Sequence, residues 1–240
     1  MYKTVIIIPC YKVDKHIIQL LKKIDLKRIF KVILIDDACP NKTGHLVKKK
    51  IKNKNIKVII LKKNLGVGGA TKYGIKEAIK FKPDHIMKMD GDGQHNPIYL
   101  KNFINIQKKN PESYIKGYRT LHYKKTPFFR FIGNLIITFV IRLLTNNHNL
   151  KDVVNGFISI PKKMYSSFKF ERISNNFFFE QDMIFYTSQK KINIIQSKIS
   201  TIYRPTIKSS LNEFKIIIPF ILRYIYLMMI KIRKLYVFKF

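Results

Sequence analysis

Apolar residues form short continuous runs along the first part of the chain, and stretches with helical spacing separate these runs. The strand-like runs cover residues 4–8, 31–35, 56–61 and 85–89. Helices are predicted between them, beginning near Asp14, Thr43 and Gly66. Short apolar strands that alternate with helices are typical of βαβ units, whose parallel strands are buried on both faces. The pattern therefore predicts an α/β fold with a mainly parallel central sheet flanked by helices.

The pattern becomes less regular after Asp92. Helices are predicted over 97–109, 128–144 and 179–189, and strands over 113–117, 153–160, 192–195 and 199–203. The apolar helix over 128–144 is too short to cross a bilayer, and Arg130 and Arg142 interrupt it. We find no internal repeat or low-complexity linker, so we predict one domain over 1–211 and a basic amphipathic tail over 212–240.

The tail contains an apolar segment, 214–232, with Arg223 near its centre. A central arginine opposes membrane insertion by about 2.5–3.5 kcal/mol. In a helical projection the basic residues share one side, opposite an apolar side. The basic side comprises Lys215, Arg223, Lys231, Arg233 and Lys234, and the apolar side Ile217, Ile221, Ile225 and Met228. Such a helix either lies on an anionic membrane surface or packs its apolar side on the protein's own core, with a membrane span third.

Polar residues gather where the predicted strands end, and ligands of an open parallel sheet bind outside these carboxyl ends. After the fourth strand, Asp90 and Asp92 are one residue apart, so in an extended segment their side chains point to the same side. Two carboxylates there suit Mg²⁺ or Mn²⁺, with diphosphate oxygens completing the shell, and Gln94 extends the alternation. The alternative is a plain Asp-Gly turn.

Two further segments at the strand ends have structural alternatives. In the segment 36–43, Asp37 or Asn41 is equally suited to capping the next helix. The glycine-containing segment 64–70 is equally suited to a tight turn between strand and helix. It matches neither the phosphate-binding GxxxxGK[ST] loop nor the dinucleotide fingerprint GxGxxG. Neither segment by itself identifies a ligand.

Taken together, four segments in this order resemble family 2 of the GT-A glycosyltransferases, close to the dolichol-phosphate-mannose synthase group: IIIPCYK, IDDACPNKT, NLGVGGATKYGIKEA and MDGDGQHNP. The resemblance is strong over residues 4–100 and weaker up to about 210. It implies a GT-A fold and inverting, metal-dependent transfer of a sugar from a nucleotide-sugar donor. The favoured acceptor is a polyprenyl phosphate, and the alternative is a hydroxyl of a surface polysaccharide or another glycan.

The resemblance also implies roles for individual residues. The residues expected to bind the nucleotide sugar are Pro9, Tyr11, Asp36, Asp37, Gly68, Asp90 and Gly156. Those expected to hold the divalent cation are Asp90, Asp92 and Gln94, and Arg119 and Arg130 are expected near an acceptor phosphate. Ser210 stands where a subgroup of relatives has histidine, so no role is implied for it.

Two acidic residues are expected on a helix beneath the acceptor. A hydroxyl acceptor needs a base to take its proton, for which Asp182 is the first candidate and Glu180 the second. A phosphate acceptor is already ionised and needs none. For both residues the structural alternative is an ordinary exposed helix face.

The composition is strongly basic, with 47 Lys and Arg against 14 Asp and Glu and a net charge of +33. This charge favours nucleic acid, anionic lipid or phosphorylated partners. However, Lys, Ile and Asn are abundant throughout, as an AT-rich genome would produce, so the charge alone names no partner. We expect a nucleotide sugar, a lipid-phosphate or glycan acceptor and an anionic membrane surface as partners, and no nucleic acid. A non-catalytic basic module is the alternative from another class, and the intact DGD motif argues against it.

Features of the whole chain indicate a compartment. Cys10 and Cys39 are the two cysteines, neither lies in a metal-binding pattern, and the apolar run before Pro9 is too short for a signal peptide. We therefore expect a cytoplasmic protein that is peripheral on the cytoplasmic face of a membrane.

Overall fold

The structure is a computed structural model and describes residues 2–120, 128–200 and 213–237. These residues contain one seven-stranded sheet. Its strands are β1 (Thr4–Cys10), β2 (Lys31–Asp36), β3 (Ile56–Ile60), β4 (His85–Lys88), β5 (Tyr114–Tyr118), β6 (Ile158–Pro161) and β7 (Ile194–Lys198). The strand order is β3-β2-β1-β4-β6-β5-β7, and β6 is antiparallel to both of its neighbours while the other pairs are parallel. The predicted α/β fold with a mainly parallel sheet is confirmed.

Helices cover both faces of the sheet. They are α1 (Asp14–Lys22), α2 (Thr43–Lys50), α3 (Gly66–Ile79), α4 (Leu100–Lys109), α5 (Phe128–Thr145), α6 (Lys162–Ser167), α7 (Phe179–Gln189) and α8 (Glu213–Val237). Alternate residues of β1 pack on opposite faces of the sheet. Ile6 and Ile8 lie in the cluster with α1, α2 and α4, and Val5 and Ile7 lie in the cluster with α3, α5 and α7. Burial on both faces explains why these strands have continuous apolar sequences.

The second half departs from the predicted elements in three places. The strand predicted over 153–160 begins at Ile158, because Asp152 adopts a positive φ of 42° and starts a turn. The strand β7, Ile194–Lys198, begins and ends later than the strand predicted over 192–195. Of the strand predicted over 199–203, residues 199 and 200 are not in a strand and residues 201–203 lie outside the described part. The short helix α6 was not predicted, because six residues are too few for a helical period to show.

The order of the strands creates the crevice in which a site is expected. From β1 the chain moves outward through β2 to β3, and then returns to place β4 on the other side of β1. Ligands of open α/β sheets bind at such a reversal, outside the carboxyl ends of the strands. Here the reversal brings Cys10 and Asp36 to the same edge as the segment that follows Lys88.

The described part of the predicted tail, α8, packs on the core through one side. Leu227 is fully buried, Tyr224 and Ile230 join the core cluster, and Phe220 packs edge to face against Phe178 at 4.7 Å. Of the three alternatives for this helix, packing on the protein's own core is thus observed, although the apolar residues used are not the predicted ones.

The orientation of α8 is opposite to the expected one. Arg223 pairs with the buried Asp182, and Lys231 Nζ donates to the Leu143 carbonyl oxygen at 2.7 Å. The predicted apolar side is exposed instead, and it comprises Ile217, Ile221, Ile225 and Met228. The expectation of an outward cationic side is therefore wrong for Arg223 and Lys231, because a buried carboxylate requires a cation from its nearest neighbour. None of the helices in the described ranges is both long and apolar enough to cross a bilayer.

Candidate active site

A buried lysine lies at the centre of the site. Lys88, the last residue of β4, is 1% exposed, and its Nζ donates to Asp90 Oδ1 at 2.6 Å and to Glu180 Oε1 at 2.8 Å. Burial alone would lower the pKa of Lys88, but the two carboxylates outweigh it and raise this pKa above its usual value. Burial likewise raises the pKa of Asp90, and Lys88 outweighs it, so the pKa of Asp90 falls to about 2. Asp90 is thus an ionised carboxylate with a fixed orientation.

Asp92 has a different electrostatic environment from Asp90. Burial and the nearby Asp90 charge raise the pKa of Asp92 to about 6, and its Oδ1 accepts a hydrogen bond from the Gln94 backbone amide at 2.9 Å. The Asp92 carboxylate therefore carries a charge that its surroundings compensate poorly. A cation placed between the two aspartates would remove this repulsion, so the donor set suits a hard divalent ion. Within the described residues, no cluster of three His, Cys, Asp or Glu side chains is suited to a metal, so other oxygen ligands would have to complete the shell.

The segment that carries the two aspartates is held from two sides. The Asp90 backbone amide donates to His95 Nδ1 at 3.1 Å, and burial lowers the pKa of His95 to about 4, so its imidazole is neutral. Gly156 approaches from the other side: a Cβ built on it would lie 2.5 Å from Lys88 Nζ and 2.6 Å from Asp90 Oδ2. Only glycine fits there without displacing the buried ion pair. Gly156 thus lies beside Asp90, and its predicted role in binding the donor sugar stays a prediction.

The two acidic residues at the end of β2 are bonded to backbone amides. Asp36 is 1% exposed, and its oxygens accept from the amides of Cys39 at 2.7 Å and of Gly44, in the first turn of α2, at 2.5 Å. Asp37 Oδ1 accepts from the Leu65 amide at 2.7 Å, and burial raises its pKa. Both residues lie at the end of β2, as predicted. Their hydrogen bonds to backbone amides hold the loops around the site in place.

Three further residues were predicted to bind the donor, and each has a different environment: Pro9, Tyr11 and Gly68. Pro9 is in β1, and Tyr11 is exposed next to it with Lys12 Nζ 5.4 Å from its ring centre. Gly68 is buried against the backbone of Ser174, where a side chain would collide with the Ser174 carbonyl oxygen. This close packing is sufficient to explain why residue 68 is a glycine, and no bound ligand is needed for that explanation.

Arg119 is already engaged by a carboxylate. Its Nε and Nη2 donate to Asp152 Oδ2 and Oδ1 at 2.7 and 2.9 Å, which is a bidentate pair. After Lys88 and His95, the charge of the same guanidinium also contributes to lowering the pKa of Asp90. Arg130 lies in the first turn of α5, and its side chain is outside the described part of the structure, as is Ser210.

Both acidic residues of α7 are buried, and each is paired with a cation. Asp182 is 0% exposed; it accepts from Arg223 Nε at 3.0 Å and from the Ser174 amide at 2.7 Å. Burial raises the pKa of Asp182, and Arg223 opposes this rise. Glu180 is 6% exposed and is bonded to Lys88. The alternative of an exposed helix face is wrong for both residues, because both are buried. The role of Asp182 or Glu180 as a base stays a prediction, which their pairing with Arg223 and Lys88 does not favour.

Three buried residues in or beside the site were given no role from the sequence: Lys88, His95 and Lys116. Lys116 lies in β5 with its Nζ bonded to the Asn155 carbonyl oxygen at 3.0 Å, and burial lowers its pKa to about 8. A lysine inside an otherwise apolar strand is a detectable signal, because a buried cation requires partners. His95 carries no comparable signal, since a histidine after a loop is common on any surface.

The comparisons with known proteins agree with this geometry. Residues 5–168 match the profile of Glycosyl transferase family 2, and the chain belongs to that family. It is similar to the UDP-N-acetylglucosamine–dolichyl-phosphate N-acetylglucosaminyltransferase of Methanococcus voltae, with 26% identity over 214 residues that cover 82% of this chain and 85% of the relative. It is also 28% identical to the dolichol-phosphate mannosyltransferase of Pyrococcus furiosus, over 68% of this chain and 47% of that protein.

Solved structures show the same fold at low identity. Glucosyl-3-phosphoglycerate synthase from Mycobacterium tuberculosis, in complex with Mn²⁺, uridine diphosphate and phosphoglyceric acid, superimposes with a TM-score of 0.67 at 11% identity. The match covers 89% of this chain and 74% of that one. The fold is therefore the GT-A fold, and the protein is a glycosyltransferase, as its sequence predicted.

Proposed function

We propose that this enzyme transfers a sugar from a nucleoside-diphosphate donor to a polyprenyl phosphate, with inversion at the anomeric carbon. The observation that carries the proposal is the pairing of both acidic residues of α7, Glu180 with Lys88 and Asp182 with Arg223. A hydroxyl acceptor requires a base to take its proton, and a phosphate acceptor does not. The names of the two archaeal relatives, both with a dolichyl-phosphate acceptor, support the same choice.

The donor diphosphate is proposed to lie at the carboxyl ends of β1 and β4. Asp92 and Asp90 would hold a Mg²⁺ or Mn²⁺ ion there, with Gln94 assisting. When bound, such an ion stabilises the negative charge that develops on the departing diphosphate. Lys88 keeps Asp90 ionised and oriented, and the missing side chain of Gly156 leaves room for this ion pair.

The acceptor phosphate is proposed to lie near Arg119 and Arg130. The Arg119 guanidinium uses Nε and Nη2 for Asp152, which fixes its plane. A guanidinium has five N–H donors and matches phosphate oxygens well. Arg119 would therefore bind the phosphate while Asp152 holds it in position, and Arg130 would supply a second positive charge.

The proposal is tested by a transfer assay with UDP-N-acetylglucosamine, Mn²⁺ and a short-chain polyprenyl phosphate, compared with the matching polyprenol. We expect transfer to the phosphate and none to the alcohol. Asp92→Asn should lower turnover at least about 100-fold, because a loss of several kcal/mol of charge stabilisation has that effect. Chelation of the metal should have the same effect on the wild type.

The matched control is Asp25→Asn, which makes the same chemical change at an exposed carboxylate paired with Arg28. It should leave turnover unchanged. Equal transfer to the alcohol would contradict the acceptor assignment. Full activity of Asp92→Asn, together with insensitivity to chelation, would contradict the metal assignment. If UDP-N-acetylglucosamine is not used, the same assay with other nucleotide sugars identifies the donor.

A further inference from the structure

Lys116 is a second buried lysine beside the site, and no step of the proposed reaction uses it. It lies in β5 and is 0% exposed. In the register of the sheet it is opposite Ile158 of β6, which is in turn opposite Lys88 of β4. Residues that are opposite each other in a sheet point to the same face, and neighbouring strands are about 4.8 Å apart. The two lysines therefore lie on one face of the sheet, on either side of β6.

The electrostatic environment of Lys116 differs from that of Lys88. Lys88 is paired with two carboxylates, whereas within the described residues no carboxylate forms an ion pair with Lys116. Burial lowers the pKa of Lys116 to about 8, although the charges of Asp152 and Glu180 oppose this shift. A buried cation without an ion-pair partner costs free energy. The stability of the fold therefore does not account for Lys116, and its hydrogen bond indicates another role.

The hydrogen bond of Lys116 is made to the segment that leads into β6. We call this segment, residues 152–157, the 152–157 loop. Three successive carbonyl oxygens of the loop accept from buried donors: that of Asn155 from Lys116 Nζ at 3.0 Å, that of Gly156 from Lys88 Nζ at 3.5 Å, and that of Phe157 from the Gly117 amide at 2.7 Å. Lys116 thus binds the 152–157 loop between its two ends.

The two ends of this loop contact the two parts of the candidate site. At one end Asp152, which is 4% exposed, accepts from the guanidinium of Arg119 and from its backbone amide at 2.9 Å. The other end lies beside Asp90. The Asn155 amide donates to the Asp152 carbonyl oxygen at 3.2 Å, so the residue that Lys116 binds is itself bonded to the residue that holds Arg119. Lys116 and Arg119 are therefore connected through two residues of the loop.

We propose that Lys116 is a positioning residue for the acceptor phosphate: it holds the 152–157 loop at Asn155 and thereby keeps Asp152 on Arg119. This inference rests on the proposed function, in which Arg119 binds that phosphate. The two buried lysines then have separate tasks. Lys88 orients Asp90 on the donor side, and Lys116 orients Arg119 on the acceptor side. A displacement of about 1 Å in a substrate-positioning group costs up to about 100-fold in rate, so the indirect contact is sufficient to affect transfer.

The experiment measures the KM for a short-chain polyprenyl phosphate and the Kd for UDP with Mn²⁺ in Lys116→Met. Methionine has nearly the length of lysine but no charge and no donor. We expect the KM for the acceptor to rise at least about 10-fold, because Arg119 is no longer held in position, and the Kd for UDP to stay unchanged. The urea midpoint should not fall, since no carboxylate loses a paired cation.

The matched control is Lys57→Met. Lys57 lies in β3, at the far edge of the sheet, and its ammonium pairs with Glu77. This variant makes the same chemical change in a strand away from the site, so it should leave both constants unchanged. A KM for the acceptor that is unchanged in Lys116→Met would overturn the proposal. Equal weakening of acceptor and UDP binding, together with a lower urea midpoint, would also overturn it, because the role would then be structural.

A double variant tests whether Lys116 acts through Arg119. Arg119→Gln should raise the KM for the acceptor by itself. Adding Lys116→Met should raise this KM little further, because the group that Lys116 positions is already gone. Effects that multiply in the double variant would contradict the proposal, since Lys116 would then act on the substrate independently of Arg119.

Hydrogen exchange of the full-length protein tests the positioning without any substrate. In Lys116→Met the amides of Asn155, Phe157 and Arg119 should exchange at least about 10-fold faster, while those of β2 keep their rates. Wild-type exchange at all three amides would contradict the proposal. Absence of transfer to polyprenyl phosphate by the wild type, with faster exchange in the variant, would contradict the proposed function alone. Normal transfer with an unchanged KM in Lys116→Met would contradict this inference alone.

Discussion

Lys88 connects two carboxylates that lie far apart in the sequence. It is buried, and its ammonium lies between Asp90, two residues away, and Glu180 of α7. Removing one partner of a buried ion pair leaves a charge without compensation, at a cost of about 3–5 kcal/mol. Lys88 therefore stabilises the fold and, at the same time, fixes the carboxylate of the candidate donor site.

Lys88→Met is expected to lower the free energy of unfolding by about 3 kcal/mol, because the buried Glu180 loses its cation, while Asp90, whose side chain is 34% exposed, is partly compensated by solvent. Adding Glu180→Gln to Lys88→Met should restore part of this loss, since one of the two charges is then removed. Urea unfolding measures both effects. Glu180→Gln alone should destabilise less than Lys88→Met, because the amide oxygen still accepts a hydrogen bond.

Turnover measurements distinguish the role of Lys88 from that of Glu180. Lys88→Met should lose turnover even at temperatures where it remains folded, because Asp90 is no longer oriented. Glu180→Gln should retain most of it if Glu180 is not a base. A loss of turnover in Glu180→Gln as severe as in Lys88→Met, at full stability, would contradict the role assigned to Glu180.

At the scale of elements, α7 and α8 are joined by one strong contact. Every residue from Phe179 to Thr187 is buried, so α7 has no exposed face in this range. A charge on such a helix requires a partner from a neighbouring element, and α8 supplies Arg223 to Asp182. The contact explains the orientation of α8 and hence the exposure of its apolar side.

Asp182→Asn and Arg223→Gln are each expected to destabilise the protein by about 3 kcal/mol, since each leaves the other charge unpaired. The loss in the double variant should be clearly smaller than the sum of the single losses, because the two side chains form one interaction. Thermal or urea unfolding of the three variants measures the coupling. Strict additivity would show that the pair is not formed in solution.

Lys163→Gln is a control for this cycle. Lys163 pairs with Glu112 at 2.6 Å, but both side chains are more than half exposed. A surface pair of this kind contributes at most about 1 kcal/mol. Its removal should therefore leave the unfolding free energy nearly unchanged.

At the scale of the whole molecule, a chain of buried hydrogen bonds ties distant segments together. Gln107 of α4 accepts from the Thr4 hydroxyl of β1 and donates to the Ser159 hydroxyl of β6, each at 2.8 Å. Ser159 in turn lies 2.8 Å from His85 Nδ1, and His85 Nε2 lies 3.0 Å from the Pro111 carbonyl oxygen. A carbonyl only accepts, so Nε2 carries a proton. Burial lowers the pKa of His85 to about 4, so at neutral pH the imidazole is uncharged and Nδ1 accepts from the Ser159 hydroxyl.

The neutral His85 predicts a pH-dependent stability. Burial lowers its pKa to about 4, whereas an unfolded histidine has a pKa of 6.5. Between these values the unfolded chain binds more protons, so the contribution of His85 to stability falls as the pH decreases from 6.5 to 4. At about 1.4 kcal/mol per pKa unit, the loss across this window is about 3 kcal/mol.

The measurement compares unfolding free energies of the wild type and His85→Gln from pH 7 to pH 4. The difference between the two unfolding free energies isolates the contribution of His85. Carboxylates with raised pKa values, such as Asp37, stabilise the fold on acidification, but they do so equally in both proteins and cancel in the difference. The wild type should lose more stability than the variant on acidification. Parallel curves would contradict a buried neutral imidazole.

The first four strands and the position of the site were predictable from the sequence. Runs such as 4–8 and 31–35 are apolar throughout because both faces of a parallel strand are buried, and this requirement is local to each strand. Asp90 and Asp92 follow such a run directly, so the parallel order of strands alone brings them to the edge where the other strands end. The family motifs lie in the same part of the chain.

The partners of the charged residues were decided by the tertiary structure. Helical spacing shows that Arg223 and Lys231 share one side of α8. It does not determine whether this basic side or the opposite apolar side faces the protein. The buried Asp182, 41 residues earlier in the chain, selects the cationic side. Likewise Lys88 lies 92 residues from Glu180, and no local pattern indicates their contact. The cost of burying an unpaired charge determines both arrangements, and that cost depends on which elements meet in the folded protein.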